Sequence, residues 1–161
     1  MNVVFDGLTL KLSDKEVKVG DKAPDFSVCK SDLQEVTLKD TKGKRVFLAI
    51  PSVDTPVCDL EIKRFNKEAA ALGDVTIYTF SLDLPFAQER WCGANGVDKV
   101  VTLSDYKTRS FGKNYGVYIE DVALLTRAVF VLDENDNVIY VEYCKDASDH
   151  PDYDAVLEIL K

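Results

Sequence analysis

The chain has 161 residues, of which 46% are hydrophobic and 30% charged, and its formal net charge is −8. This is the composition of a folded chain with a sizeable core. Its acidity argues against nucleic acid and anionic membrane surfaces as partners. Its four cysteines, at positions 29, 58, 92 and 144, form no C-x-x-C pair, which counts against a zinc site.

The first residues carry no basic region followed by a long apolar stretch, so neither a signal peptide nor a membrane span is expected. A cytoplasmic setting, where thiols stay reduced, fits the cysteine usage, and one domain over 1–161 is expected. Val3 to Phe5 and Leu8 to Leu12 flank Asp6-Gly7 and read as a β-hairpin. Val17-Lys18-Val19 is expected to add a short strand. Phe26 to Cys29 and Val36 to Leu38 read as two further strands. Val46 to Ile50 is an apolar run of buried-strand length. Cys58, Ile62, Phe65, Ala69 and Leu72 then recur at helical spacing up to Gly73, and Val75 to Phe80 reads as the next strand. This β-α-β unit predicts parallel pairing. A second helix is expected from Leu84-Pro85 to Cys92, ended or interrupted by Gly93 and Gly96. A strand over Val100 to Leu103 follows, then a helix from Ser104, as its cap, to Tyr115. Ala128 to Leu132 and Val138 to Tyr143 flank the polar turn Asp133 to Asn137, and Tyr153 to Leu160 gives a last helix. The element order predicts an α/β fold, a mixed central sheet with helices on both faces and an N-terminal hairpin extension. That arrangement resembles the thioredoxin fold, which by itself does not settle function.

Pro51-Ser52-Val53-Asp54-Thr55-Pro56-Val57-Cys58 joins the apolar strand to the first helix. Thr55 stands where an N-cap belongs and Pro56 at the first helical position. Cys58 then lies in the first turn, where free N–H groups and the helix dipole favour a thiolate. A thiol of ordinary pKa, about 8.5, is only about 3% ionised at pH 7, and a drop of about two units would make it mostly thiolate. A buried cysteine filling a helix start fits the same pattern equally well. Thr55-x-x-Cys58 occupies the place of a thioredoxin C-x-x-C, with Thr55 replacing the first cysteine. Local dithiol exchange needs both sulfurs, so a single activated thiolate would need another target, such as a peroxide. Trp91-Cys92-Gly93 echoes thioredoxin's W-C-G-x-C, but residue 95 is Asn.

Pro51-x-x-x-Thr55-x-x-Cys58 matches the active-site motif of peroxiredoxins. Ser81-x-Asp83-Leu84-Pro85-Phe86-Ala87-Gln88, Cys92-Gly93-Ala94, Tyr115-Gly116-Val117, Arg127-Ala128-Val129 and Asp133 to Asn137 follow in order. Together they resemble the bacterial thiol peroxidase subfamily over nearly the whole chain. The resemblance implies that Cys58 is the peroxidatic cysteine and Cys92 the resolving cysteine, joined in one chain after local unfolding. It implies that Thr55 offers its hydroxyl to peroxide and sulfur, where the residues alone show an N-cap. Pro51 would shield the thiolate, where the residues alone show a strand terminator. Arg127 would fix thiolate and peroxide, where position alone gives a solvated arginine at a strand start. His150, the sole histidine, sits in a polar loop and receives no role; Cys144 matches no motif, and Cys29 reads as structural.

The implied activity is reduction of hydrogen peroxide or organic hydroperoxides, recycled by a thioredoxin-like dithiol protein. No metal or organic cofactor is implied, and the subfamily is typically a homodimer. A thioredoxin-like disulfide oxidoreductase and a non-enzymatic redox sensor are the competing readings. Insulin reduction would reveal the first, and a single oxidation without turnover the second.

Overall fold

The structure, a computed structural model, describes residues 1–68 and 71–161, so the expected burial of Ala69 lies outside the described residues. Strands β1 (Asn2–Phe5) and β2 (Leu8–Lys11) form the N-terminal hairpin. Asp6 and Gly7, at φ 50 and 80, both take the left-handed conformation that a two-residue hairpin turn requires. The chain continues through β3 (Ser27–Cys29), β4 (Glu35–Thr37), a 3-10 turn at Leu38–Asp40, and β5 (Lys44–Ala49). Then come α1 (Pro56–Leu72), β6 (Val75–Ser81), α2 (Pro85–Asn95) and β7 (Val100–Ser104). The remainder is α3 (Ser110–Asn114), β8 (Tyr118–Ile119), β9 (Leu124–Leu125), β10 (Ala128–Leu132), β11 (Val138–Tyr143) and α4 (Tyr153–Leu160).

Seven strands form the central sheet in the order β11-β10-β5-β6-β7-β3-β4. The pairs β5–β6 and β6–β7 are parallel, as the crossover helices require, and the pairs outside them are antiparallel. The central strands are apolar on both sides because both faces are covered. Val46, Leu48, Ile50, Val129 and Val131 pack with Ile62 and Phe65 of α1, Trp91 of α2, and Val156 and Leu160 of α4. On the other face Phe47, Ala49, Phe80 and Phe130 meet Phe26, Phe111 and Tyr115. Phe111 stacks on Phe80 with ring centroids 3.7 Å apart.

Three expectations need correction. Val17 to Val19 is not a strand: Val17 is buried and its N–H donates to the Tyr143 hydroxyl, leaving no ladder. Gly93 does not end α2; Gly96, at φ 65, does. The helix expected from Ser104 shrinks to Ser110–Asn114. Ser104 stays in β7, and the buried Asp105 carboxylate instead accepts from the N–H groups of Phe111 (3.1 Å) and Gly112 (2.8 Å). The hairpin β8–β9 escaped the reading altogether, its two-residue strands being too short for a pattern. Among the described residues, no helix is long and apolar enough to cross a membrane.

Candidate active site

The β5–α1 junction forms as the sequence predicts. Thr55 is the extended N-cap of α1, at φ −90 and ψ 146, and its Oγ1 accepts from the Cys58 N–H at 3.4 Å. Its hydroxyl in turn donates to the Ser52 carbonyl at 3.2 Å. Pro56 opens the helix and leaves Cys58 in the first turn, wholly buried.

Arg127, just ahead of β10, is 1% exposed, so the solvated arginine that its position alone suggests is wrong. Its fork of donors is spread over three partners. Nη2 donates to Cys58 Sγ (3.0 Å), Nη1 to Glu61 Oε1 (2.7 Å), and Nε to the Ala147 carbonyl (2.9 Å). A fork held at three points is rigid, and rigidity suits a donor that must meet developing negative charge. Pro51, Thr55 and Arg127 together line a cavity of about 460 Å³, closed on one side by Phe5, Asp6 and Gly7 of the N-terminal hairpin. That hairpin is fastened in place by Val4, whose N–H donates to the Lys145 carbonyl (2.9 Å) and whose carbonyl accepts from Ala147 (2.8 Å).

Glu61 is the residue that the sequence reading missed. It is fully buried beside Arg127, and among the described residues its Oε2 has no hydrogen-bond partner. The signal was present, since Glu61 lies three residues beyond Cys58 and so faces the same side of α1. Burial pushes its carboxyl up to about 7, against the pull of Arg127. Burial likewise raises the Cys58 thiol, although Arg127, the Thr55 hydroxyl and the Ser52 backbone pull it down. Burial thus opposes the pull toward thiolate that the helix start and Arg127 supply. A sulfur with no water around it loses more than a guanidinium already shared with a carboxylate restores.

Asp83 fixes the loop that leads to Thr55. Its carboxylate accepts from Ser52 Oγ (2.8 Å), the Val53 N–H (2.9 Å) and Ser81 Oγ (2.9 Å). The motif containing Asp83 stands out in the sequence, but nothing there tells which loop its side chain reaches.

Cys92 lies on α2, half-buried, with Sγ 3.9 Å from Thr102 Oγ1, and burial raises its thiol. It opens on a different groove, of about 610 Å³, whose walls include Lys30, Glu89 and Val101 and share no residue with the cavity beside Arg127. All four cysteines are free thiols. Cys144 is buried next to Arg127, its N–H donating to the Arg127 carbonyl (3.1 Å), and burial beside Glu142 and Glu61 pushes its thiol up to about 12. Cys29 is buried in β3, and the exposed His150 pairs its Nδ1 with the Tyr153 hydroxyl at 2.7 Å, remote from any role assigned above. Among the described residues no cluster of His, Cys, Asp and Glu is placed to hold a metal ion.

A thioredoxin-like sheet that presents one cysteine, a capping threonine and a buried arginine at a helix start has the arrangement of a peroxiredoxin. Comparison with known proteins agrees. The Redoxin family model matches residues 18–157. A thiol peroxidase of Bacillus subtilis is 56% identical over 160 residues, covering 99% of this chain and 96% of that one. A thiol peroxidase of Clostridium acetobutylicum is 55% identical, covering 98% and 96%. The crystal structure of a peroxiredoxin-like protein from Aquifex aeolicus superposes with a TM-score of 0.92 at 36% identity, covering 99% of this chain and 95% of that one. The chain belongs to the Redoxin family, and its near-full-length relatives make it a peroxiredoxin-type peroxidase of the thiol peroxidase kind.

Proposed function

We propose that this protein reduces hydrogen peroxide and organic hydroperoxides through Cys58, with Cys92 as the resolving thiol and a thioredoxin-like dithiol protein as the reductant. The observation that carries this reading is the Arg127 Nη2 hydrogen bond to Cys58 Sγ, 3.0 Å long, at the wall of an open cavity. In this mechanism the Cys58 thiolate attacks one peroxide oxygen and the O–O bond breaks. The departing alkoxide or hydroxide takes up a proton, and Cys58 is left as a sulfenic acid. Arg127 stabilises the negative charge on sulfur and on the reacting oxygens. The Thr55 hydroxyl, turning its one proton from the Ser52 carbonyl, can donate to the peroxide while accepting from the helix N–H. Pro51, which carries no N–H, walls off water beside the sulfur. The sulfenic acid then condenses with the Cys92 thiol, releasing water and forming an intrachain disulfide that the external dithiol reduces.

Cys58 is wholly buried and Cys92 opens on a groove that shares no residue with the cavity beside Arg127, so the bond requires both helix segments to rearrange. A chain that works through free thiols suits a reducing compartment such as the cytoplasm. Residues 1–161 act as one unit in this reading, and two copies form a homodimer. The test is peroxide consumption coupled to thioredoxin, its reductase and NADPH, with Cys58→Ser as the control. Turnover by the wild type and none by the variant is the expected result. Substantial turnover by Cys58→Ser would move the nucleophile elsewhere.

A further inference from the structure

A line of partly buried polar contacts runs between the two cysteine-bearing helices, and Asp83 is its centre. On one side the Asp83 carboxylate holds Ser52 Oγ and the Val53 N–H, and the Ser52 carbonyl holds the N–H and hydroxyl of Thr55. On the other side it holds Ser81 Oγ, which accepts from Gln88 Nε2 at 2.9 Å. Gln88 is buried on α2, one turn before Cys92, and its Nε2 also donates to the Leu103 carbonyl at 2.9 Å. The backbone follows the same course. The Asp83 carbonyl accepts from Ser104 Oγ, and Pro85 opens α2 two residues after Asp83. A second tie runs in parallel between the immediate neighbours of the two cysteines, from Trp91 Nε1 to Asp59 Oδ1 (3.2 Å).

Such a chain has few stable intermediate arrangements, because releasing the carboxylate leaves the buried Ser81 hydroxyl and the partly buried Ser52 and Val53 donors without their acceptor. We infer that Asp83 is a positioning residue that couples the Cys58 loop to the Cys92 helix, so that the two segments loosen together. It stabilises the closed arrangement in which Thr55 and Arg127 surround the Cys58 sulfur. Release of the same carboxylate frees the loop and the first turns of α2 at once, which is what a bond between the two sulfurs needs. This rests on the assignment of Cys58 and Cys92 given above, and concerns how the two half-reactions are balanced.

Amide hydrogen exchange of the reduced protein tests the coupling without any peroxide. Asp83→Asn keeps the side-chain shape but can no longer accept from all three donors. Amides in 52–60 and in 85–93 should exchange faster by a common factor, about tenfold for the loss of one charged hydrogen bond. Ser52→Ala, which removes only the hydroxyl contact, should shift both segments in the same direction by less, and carries the test if the first variant does not fold. Faster exchange confined to 52–60, or no change in either segment, would overturn the inference. Rapid mixing with one equivalent of hydrogen peroxide, followed by the fluorescence of Trp91, supplies the kinetic counterpart. Cys58 oxidation should slow about tenfold in Asp83→Asn, while the later disulfide step keeps or exceeds its wild-type rate. Slowing of both steps alike would mark Asp83 as merely structural. A wild-type protein that does not react with peroxide would refute the peroxidase assignment and leave the exchange result readable.

Discussion

Replacing Glu61 by Gln should lower the pKa of Cys58. The amide oxygen can still accept from Arg127 Nη1, so the packing survives and only the charge is removed. Cys58 and Glu61 stand three residues apart on α1, with Cβ atoms about 5–6 Å from each other. Unit charges about 6 Å apart at an effective dielectric of about 20 interact by about 3 kcal/mol, or about two pKa units. Burial places the Glu61 carboxyl at about 7, so it is half charged near neutrality. Removing it should therefore lower the thiol by about one unit near pH 7 and by about two at higher pH. The assay is the thiolate absorbance against pH, taken as the difference between each protein and its Cys58→Ser counterpart. An unchanged or raised titration would refute the reasoning, because the guanidinium would then not be shared between sulfur and carboxylate. The same substitution has a stability signature. Glu61 is raised in the fold from about 4.3 in the unfolded chain, so the fold favours its neutral form. Its contribution is fully present below about pH 4 and is lost as pH rises through about 7, in total about 4 kcal/mol. Relative to Glu61→Gln, the wild type should lose stability over that window in thermal melts.

Thr55→Val should slow Cys58 oxidation at least tenfold and cost about 1 kcal/mol of stability through the lost cap, read by rapid mixing and by denaturant titration. A wild-type oxidation rate would reduce Thr55 to a plain cap. Cys92→Ser should react once with peroxide and then over-oxidise at Cys58. Peptide maps of the treated wild type should show a Cys58–Cys92 bond, and a bond to Cys29 or Cys144 as the main product would defeat the assignment. Gly116→Ala should destabilise the fold by about 2 kcal/mol or more without altering the chemistry of Cys58. Position 116 has φ 70, and an added Cβ would sit 2.6 Å from the Lys15 carbonyl oxygen. A melt indistinguishable from wild type would show that this contact can relax.

What could be read from sequence was local. Asp6-Gly7 announced a hairpin, Thr55-Pro56 a helix start, and the apolar runs from Val46 and Ala128 a two-sided sheet. The failures share a cause, since each turned on a partner distant in the sequence. Ser104 resembled a helix cap, but strand pairing with Ser81 and Cys29 holds it in β7. Val17 looked like a strand residue, yet its N–H is met by the Tyr143 hydroxyl. Glu61 lies in the right helical position, but a charged residue is rarely buried without a partner. That partner, Arg127, lies far away in the sequence, and neither residue alone reports the other. The helix start at Cys58 was legible, but the dryness of the sulfur was not, because dryness depends on the whole surrounding structure.

The Arg127 fork also sets a folding order. Its Nε is held by the Ala147 carbonyl, and the Ala147 backbone is pinned by Val4 of the N-terminal hairpin. The arginine can therefore adopt its final pose only after segments from opposite ends of the chain have met. During synthesis the hairpin emerges well before Lys145 and Ala147 and must wait for them before it can dock. Contacts of such long sequence separation are slow to form because loop closure precedes any gain from the contact. The sheet and its helices can be in place while the cavity wall is still absent and the guanidinium unseated. Peroxide reactivity should then appear as a late kinetic phase on refolding, after the recovery of secondary structure.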